Sequence, residues 1–472
     1  MKRFRRVLRC ALCFSLLLCL AAPGVAAAAP VLAAAVPAAS APAPTACAPG
    51  AAQGQADGGT LRFPKNGKLK IAVFSDVQTT QFVSGTLTEC LAAILDAEQP
   101  DLVVFLGDQI EGKHPFLHLG DNEAHVKRVI DQILAPVTER GIPFAVVFGN
   151  HDAQDAGVSK EVQMAYYQSF PGCLAVDEGA SLPGCGTYHL IYTSSDGTRP
   201  ALNLYFVDSL EYDAKGGYGC VTKEQVAWCR TVSETLARTN GGEAVPALVF
   251  QHIIVPEIYN VFTRVRDADE PGAFAGKGAG KGGWYAAPEG LSGVEEAPCP
   301  PNYSNGQFAA WREAGDVKAA FFGHDHVNSF EARLDGVGLV ACPGATLTSY
   351  NSEDARGVRI IEVDEKTVAS GQYETRVLLL KDFYRPGPLA AVQRFFRMSR
   401  IWDLALLGVI LGSLLVNAIF WPLFVRRRKK KRAAAKAMVM DAPGPAGDND
   451  NAGQRPAAIE AKSTQSAGSA RR

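Results

Sequence analysis

Five separate apolar runs in this sequence stop on polar residues of one chemical kind. "LKIAVFSDVQ" ends on Asp76 and Gln78, "DLVVFLGD" on Asp108, "PFAVVFGNHD" on Asn150, His151 and Asp152, "VPALVFQH" on His252, and "VKAAFFGHDH" on His324 and His326. Short apolar runs rich in β-branched and aromatic residues read as buried strands. Alternate residues of a strand share a face, so His324 and His326 point one way, as do Asp76 and Gln78. In α/β sheets, ligands gather where strands end and loops begin. Carboxylate, amide and imidazole donors meeting at one edge make a site for two hard-to-borderline divalent or trivalent ions. Each fragment alone has an ordinary explanation. "GD" is a common turn, "GNHD" fits a helix cap, and a lone buried histidine is usually hydrogen-bonded core. The ordered set of five is much harder to produce by chance.

Between and after these runs the pattern continues. Strands are predicted over 69–76, 101–108, 143–152, 201–209, 245–252, 317–326, 337–342, 357–364 and 374–380. Helical periodicity fits "TLTECLAAILDAE", "DNEAHVKRVIDQILAPVTERG" and "TKEQVAWCRTVSETLART". Strands separated by helices imply a layered α/β domain with buried sheets, placed at 67–385. The Gly- and Pro-rich stretch 267–304 reads as a long loop or lid.

The ends of the chain carry a different message. The start, "MKRFRRVLRCALCFSLLLCLAAPGVAAAAP", has a basic head, a short apolar core and an Ala-x-Ala exit, so 1–29 reads as a secretory signal, with an N-terminal membrane anchor as the alternative. An Ala/Pro-rich linker follows at 30–66. Leu404 to Val425 is free of charge and long enough to span a bilayer, and "RRRKKKR" abuts it. A membrane helix is therefore predicted at 401–425, after a juxtamembrane segment at 386–400. The cations mark the cytoplasmic side, and a basic, then disordered, tail completes 426–472. The chain would thus be a single-pass protein of the cell membrane with its domain on the extracytoplasmic side.

Net charge is −1, and setting aside five cations at the start and seven at 426–432 leaves about −13 for the rest. An acidic body excludes a polyanion-binding surface, so no nucleic-acid partner is expected. Eight of the eleven cysteines lie beyond the signal, and disulfides are permitted in an exported domain. Cys173 with Cys185 and Cys220 with Cys229 are the closest pairs, although sequence alone cannot pair them.

The fragments "FSDVQ", "FLGDQIEG", "FGNHD", "FQHIIVPE" and "FFGHDH" together resemble the five motif blocks of calcineurin-like metallophosphoesterases. "YFVDSLEY", "HIIVPE" and "GQFAAWREAGDVKAAFFGHDHVN" bring the resemblance nearest to the Dcr2-type, purple-acid-phosphatase-29-like branch. It covers about residues 67–380 and implies a two-sheet β-sandwich flanked by helices, with two metal ions (Mn, Fe or Zn) at one edge. By that resemblance Asp76, Gln78, Asp108 and His326 hold the first metal. Asp108 bridges to a second, held by Asn150, His252 and His324. His151 stands over the phosphate of a small phosphorylated substrate, with Asp152 orienting its ring or, alternatively, capping a helix. Two cations about 3.5–4 Å apart supply hydroxide at neutral pH, and an imidazole can protonate the departing alkoxide.

Two departures from the family pattern matter. The first block usually reads D-x-H, and Gln78 replaces the imidazole with a neutral, weaker oxygen donor. No tyrosine follows the "GD" aspartate, where Glu111 lies nearby instead, so no tyrosinate-to-iron colour is expected. The implied activity is hydrolysis of phosphate monoesters, with phosphodiester or pyrophosphate cleavage on nucleotide or lipid-type substrates as the second reading. A binding or receptor module weakened in catalysis by Gln78 is the rival.

Overall fold

The computed structural model describes residues 61–383, apart from 180, 215 and 353, together with 401–440. The predicted signal, most of the linker, the 386–400 segment and the tail beyond 440 lie outside the described residues.

Apolar strands and amphipathic helices alternate as the sequence pattern requires. Strands β1 (Lys68–Phe74), β2 (Leu102–Leu106) and β3 (Phe144–Val147) run parallel, joined by helices α1 (Gly85–Glu98) and α2 (Asn122–Thr138). Asp121 starts α2 by accepting a hydrogen bond from the Ala124 amide at 3.1 Å, which meets one of the free amides of the first turn. Helix α3 (Lys160–Gln168) follows β3, and β4 (Tyr188–Thr193) opens a second sheet with β5 (Pro200–Phe206). Helix α4 (Lys223–Thr239) begins with a reciprocal cap between Thr222 and Gln225 and leads to β6 (Ala247–Phe250).

The 267–304 stretch is not a plain loop. Strands β7 (Thr263–Val265), β8 (Phe274–Ala275) and β9 (Trp284–Ala286) form a small antiparallel sheet there. Tyr259, Phe262, Phe274 and Tyr285 pack together against this sheet, which gives a Gly-rich segment enough apolar surface to order. Helix α5 (Gln307–Ala314), β10 (Val317–Phe322), β11 (Glu331–Leu334) and β12 (Val337–Ala341) complete the second sheet, and β13 (Gly357–Asp364) and β14 (Glu374–Leu379) return to the first.

Two mixed sheets result, in the orders β14-β13-β1-β2-β3 and β11-β12-β10-β6-β5-β4. The second sheet shows the period of two plainly. Leu204, Phe206, Leu248, Phe250, Ala319 and Phe321 join the core shared with the first sheet. Tyr205, Val207, Ala247, Val249, Ala320 and Phe322 join a second core with Phe308 and Trp311 of α5. Within the shared core, Tyr188, Phe206, Phe250 and Phe321 occupy one register across four strands. Their stacked rings stand 4.6, 5.3 and 5.4 Å apart.

Within the predicted linker, Phe63 is buried and its amide bonds to the Thr193 carbonyl at the end of β4. All seven described cysteines are free thiols, so neither Cys173 and Cys185 nor Cys220 and Cys229 are joined. Cys220 Sγ instead faces the Tyr303 carbonyl at 3.3 Å, and Cys229 lies on α4.

The C-terminal helix, Ile401–Met440, includes one segment long and apolar enough to cross a membrane, within Gly408–Ala434. It runs on through the seven cations and the Ala/Lys-rich stretch that the sequence pattern left unstructured. Alanine, lysine and methionine are strong helix formers, and the span supplies the nucleus.

Phe250 sits mid-row and fully buried. Phe250→Ala is expected to destabilise the domain by about 3–5 kcal/mol, read as a lower denaturant midpoint in tryptophan-detected unfolding.

Candidate metal centre

The parallel strands of both sheets end at the same edge, and their extensions are knitted together there. The Asp76 amide donates to the Gly107 carbonyl at 3.0 Å, the Gln78 amide to the Asp108 carbonyl at 2.9 Å, and the Gly323 amide to the His252 carbonyl at 3.0 Å. Ala345 N donates to Ser75 O at 2.8 Å, which ties the first sheet to the second. Asp76, Gln78, Asp108 and His324 all adopt left-handed backbone conformations, with φ of 48°, 30°, 52° and 70°. Such strain persists only where surroundings enforce it, and it clusters at functional sites.

Glycine in these motifs has a steric cause. A Cβ on Gly107 would strike the His252 imidazole, and one on Gly149 would strike the Asp108 carboxylate.

Asp76 and Asp108 are almost wholly buried. Asp76 Oδ2 accepts from the Ser75 hydroxyl at 2.5 Å and the His324 amide at 3.0 Å. Its Oδ1 lies 3.4 Å from His326 Nε2 and 3.9 Å from His252 Nε2. Asp108 Oδ1 accepts from the His151 amide at 2.8 Å. Asp108 Oδ2 accepts from Gln78 Nε2 at 3.1 Å and stands 3.2 Å from His252 Nε2 and 4.0 Å from His151 Nε2. The other ring nitrogens fix the imidazoles from behind. His252 Nδ1 is 3.0 Å from the Leu106 carbonyl, and His326 Nδ1 is 2.8 Å from that of Tyr350. Donor atoms of Asp108, His252 and His324 lie within 4.8 Å of one another.

Five buried side-chain atoms in this cluster have no hydrogen-bond partner: Asp76 Oδ1, Gln78 Oε1, Asn150 Oδ1, His151 Nδ1 and His252 Nε2. Buried polar atoms are normally satisfied, and each orphan costs about 1–3 kcal/mol. Four of them belong to the residues singled out as ligands in the sequence, and the fifth to the imidazole singled out as catalytic. Their donor types, carboxylate, amide and imidazole, fit a pair of borderline divalent or trivalent ions.

Electrostatics point the same way. Burial opposes charge on His252, yet Asp108 and Asp76 outweigh it and raise its pKa to about 10. His324 goes the other way, pushed down to about 3 by burial and then by its neighbour His252. Burial works against ionisation of Asp76 and Asp108, but the facing imidazoles hold both below the usual carboxylate range. A protonated His252 thus stands where positive charge is demanded.

Asp152 does something other than orient the His151 ring. Its carboxylate accepts from the amides of Asp108 at 2.8 Å, Gly149 at 2.7 Å and Ile110 at 3.0 Å, so it stitches the ends of β2 and β3 together. Burial and then the Asp108 charge push its pKa up to about 7. The carboxylate beside the ring is Asp155, whose Oδ2 lies 3.3 Å from His151 Nδ1. The family resemblance gave that place to Asp152, but the π-turn at His151–Asp155 brings position 155 round instead. Sequence reasoning also missed Tyr350, stacked on His326 at 4.1 Å, and Tyr218, edge-on to His324 at 4.1 Å. Neither lies in a periodic segment. His114, His118, His125 and His189 have partners outside this cluster, such as Gly112 O for His118 and Glu178 for His189.

A family model for calcineurin-like phosphoesterases matches residues 69–328, a span that holds every candidate metal ligand. Among relatives, the probable inactive purple acid phosphatase 14 of Arabidopsis thaliana is 29% identical over 316 residues, 62% of this chain and 69% of that protein. The phosphatase DCR2 of Saccharomyces cerevisiae is 30% identical over 253 residues, 51% of this chain and 38% of its own length. A solved dimetal phosphatase from Danio rerio aligns over 62% of this chain and 95% of its own, at 15% identity and a TM-score of 0.39.

A proton held on His252 to about pH 10 must leave before that nitrogen can take an ion. Mn(II) affinity is therefore expected to rise about tenfold per pH unit between pH 7 and 9, with one proton released per bound ion. Calorimetry in buffers of different ionisation enthalpy reads both; an affinity flat with pH would mean that His252 carries no proton in this range.

Proposed function

The chain belongs to the calcineurin-like phosphoesterase family, and we propose that it is a membrane-anchored, dinuclear metal-dependent hydrolase of phosphate esters. The observation that carries this reading is the set of orphaned buried atoms, four of them on the candidate ligands. Asp76, Gln78, Asp108 and His326 would hold one ion, and Asp108, Asn150, His252 and His324 the other. When bound, the ion pair supplies an acidified water and positive charge against the phosphoryl oxygens.

The chain's own residues do the rest. His151 is the ligand-free imidazole at the rim, with 19% of its side chain exposed and Nε2 directed to the Asp108 side of the cluster. It is placed to meet a phosphoryl oxygen or to hand a proton to the departing alkoxide. Asp155 balances the charge that this role puts on its ring. Asp152 acts at a distance, by fixing the backbone amides that set Asp108 and Gly149. Phosphomonoesters are the first substrate class, and diesters or pyrophosphates the second.

The helix around Gly408–Ala434 is the proposed anchor. Seven cations at its end support a cytoplasmic position for that side, and the signal-like start supports a metal centre outside.

A second reading, a phosphoesterase-shaped binding module, is favoured by one residue and one name. Gln78 offers a neutral oxygen where the family has imidazole, and its Nε2 donates to the Asp108 oxygen that would bridge. The Arabidopsis relative is itself called probable inactive.

The full-length protein with Mn(II) is expected to cleave a chromogenic phosphate ester, to stop on chelation, and to lose about 100-fold or more of kcat/KM in Asn150→Ala or His151→Ala. Metal uptake without turnover on mono- and diesters would move the chain to the binding-module reading.

A further inference from the structure

One hydroxyl outside the predicted ligand set touches both halves of the catalytic arrangement. Tyr212 lies in the loop after β5, in a short antiparallel pairing with Tyr218. Its oxygen accepts from Asn150 Nδ2 at 3.2 Å and from Lys113 Nζ at 2.9 Å, and it donates to Asp155 Oδ2 at 2.7 Å. A phenol has one proton to give and two lone pairs to fill. All three are used here.

The consequence for Asn150 is directional. An amide presents oxygen at one end and N–H at the other, and only the oxygen binds a cation. By taking Nδ2, Tyr212 leaves Oδ1 facing inward, which is the orphaned buried atom described above. The consequence for His151 runs through Asp155, which accepts the Tyr212 hydroxyl and stands 3.3 Å from the imidazole Nδ1. The Tyr212 ring is fixed as well. It stacks on Tyr218 at 5.9 Å beneath the Lys113 ammonium, and Tyr218 presses edge-on against His324.

We propose that Tyr212 is a positioning residue: it selects the oxygen end of Asn150 for the metal ion and, through Asp155, sets the His151 ring. This rests on the dinuclear reading given above.

The test titrates the full-length protein in detergent with Mn(II) after chelator treatment, comparing wild type with Tyr212→Phe, which keeps the ring and removes only the hydroxyl. The variant is expected to lose about tenfold or more in Mn(II) affinity, as outer hydrogen-bond partners of metal ligands do. It should also show a lower kcat on the chromogenic ester at unchanged KM, while metal-free thermal unfolding stays at the wild-type midpoint. A second comparison separates orientation from general damage. In an Asn150→Asp background both side-chain ends are oxygen, so adding Tyr212→Phe should cost no further Mn(II) affinity. Wild-type affinity in Tyr212→Phe, or an equal loss in the Asn150→Asp background, overturns the proposal. Failure of the wild type itself to bind Mn(II) sinks the dinuclear reading, and this inference with it.

Discussion

Two buried carboxylates, Asp76 and Asp108, set terms that everything around them must meet. Taking an ionised carboxylate out of water costs several kcal/mol even after relaxation, and two facing the same imidazoles compound the cost. The chain answers with backbone amides on one oxygen of each, from His324 and His151, and with imidazoles facing the other. The balance is still incomplete, because unpaired donor atoms remain inside. The two carboxylates raise the His252 pKa, which makes its imidazole their nearest counter-charge.

Holding that arrangement requires backbone that the chain would not choose. Four of the candidate ligands sit in left-handed conformations, at about 1–3 kcal/mol each. The strain is held by interlocking hydrogen bonds between strand extensions and by Asp152, whose carboxylate joins amides from two loops. The cores on both faces of the second sheet supply the stability that makes such an edge tolerable. Rigid sheets below and strained loops above is the division of labour that strand-end sites usually show.

Much of this was legible in the sequence because burial writes itself into composition. Each parallel strand was visible as an apolar run, and each polar stop marked a ligand candidate at the common edge. Helices α1, α2 and α4 showed their periodicity. Short helices were not visible: α5 has only eight residues, and its apolar face, Phe308 and Trp311, is too brief to establish a period. The β7–β9 sheet hid in a Gly-rich segment because its order comes from tertiary packing of aromatics rather than local propensity. The resemblance turned Asp152 toward the His151 ring, but its carboxylate accepts from the amides of Asp108, Ile110 and Gly149 instead. Tyr212 was present in "YFVDSLEY", yet nothing in that string says that its hydroxyl reaches Asn150.

The donors are divided between the two layers of the sandwich. Asp76, Gln78, Asp108 and Asn150 extend from the first sheet; His252, His324 and His326 extend from the second. Neither layer owns a complete coordination sphere, and oxygen donors fall on one side, imidazoles on the other. A fragment carrying β1 to β3 alone would keep the oxygen donors and lose every coordinating imidazole. Ion capture is thus a property of the seam, available only once the two layers have found each other, and an occupied seam would resist being drawn apart at that end.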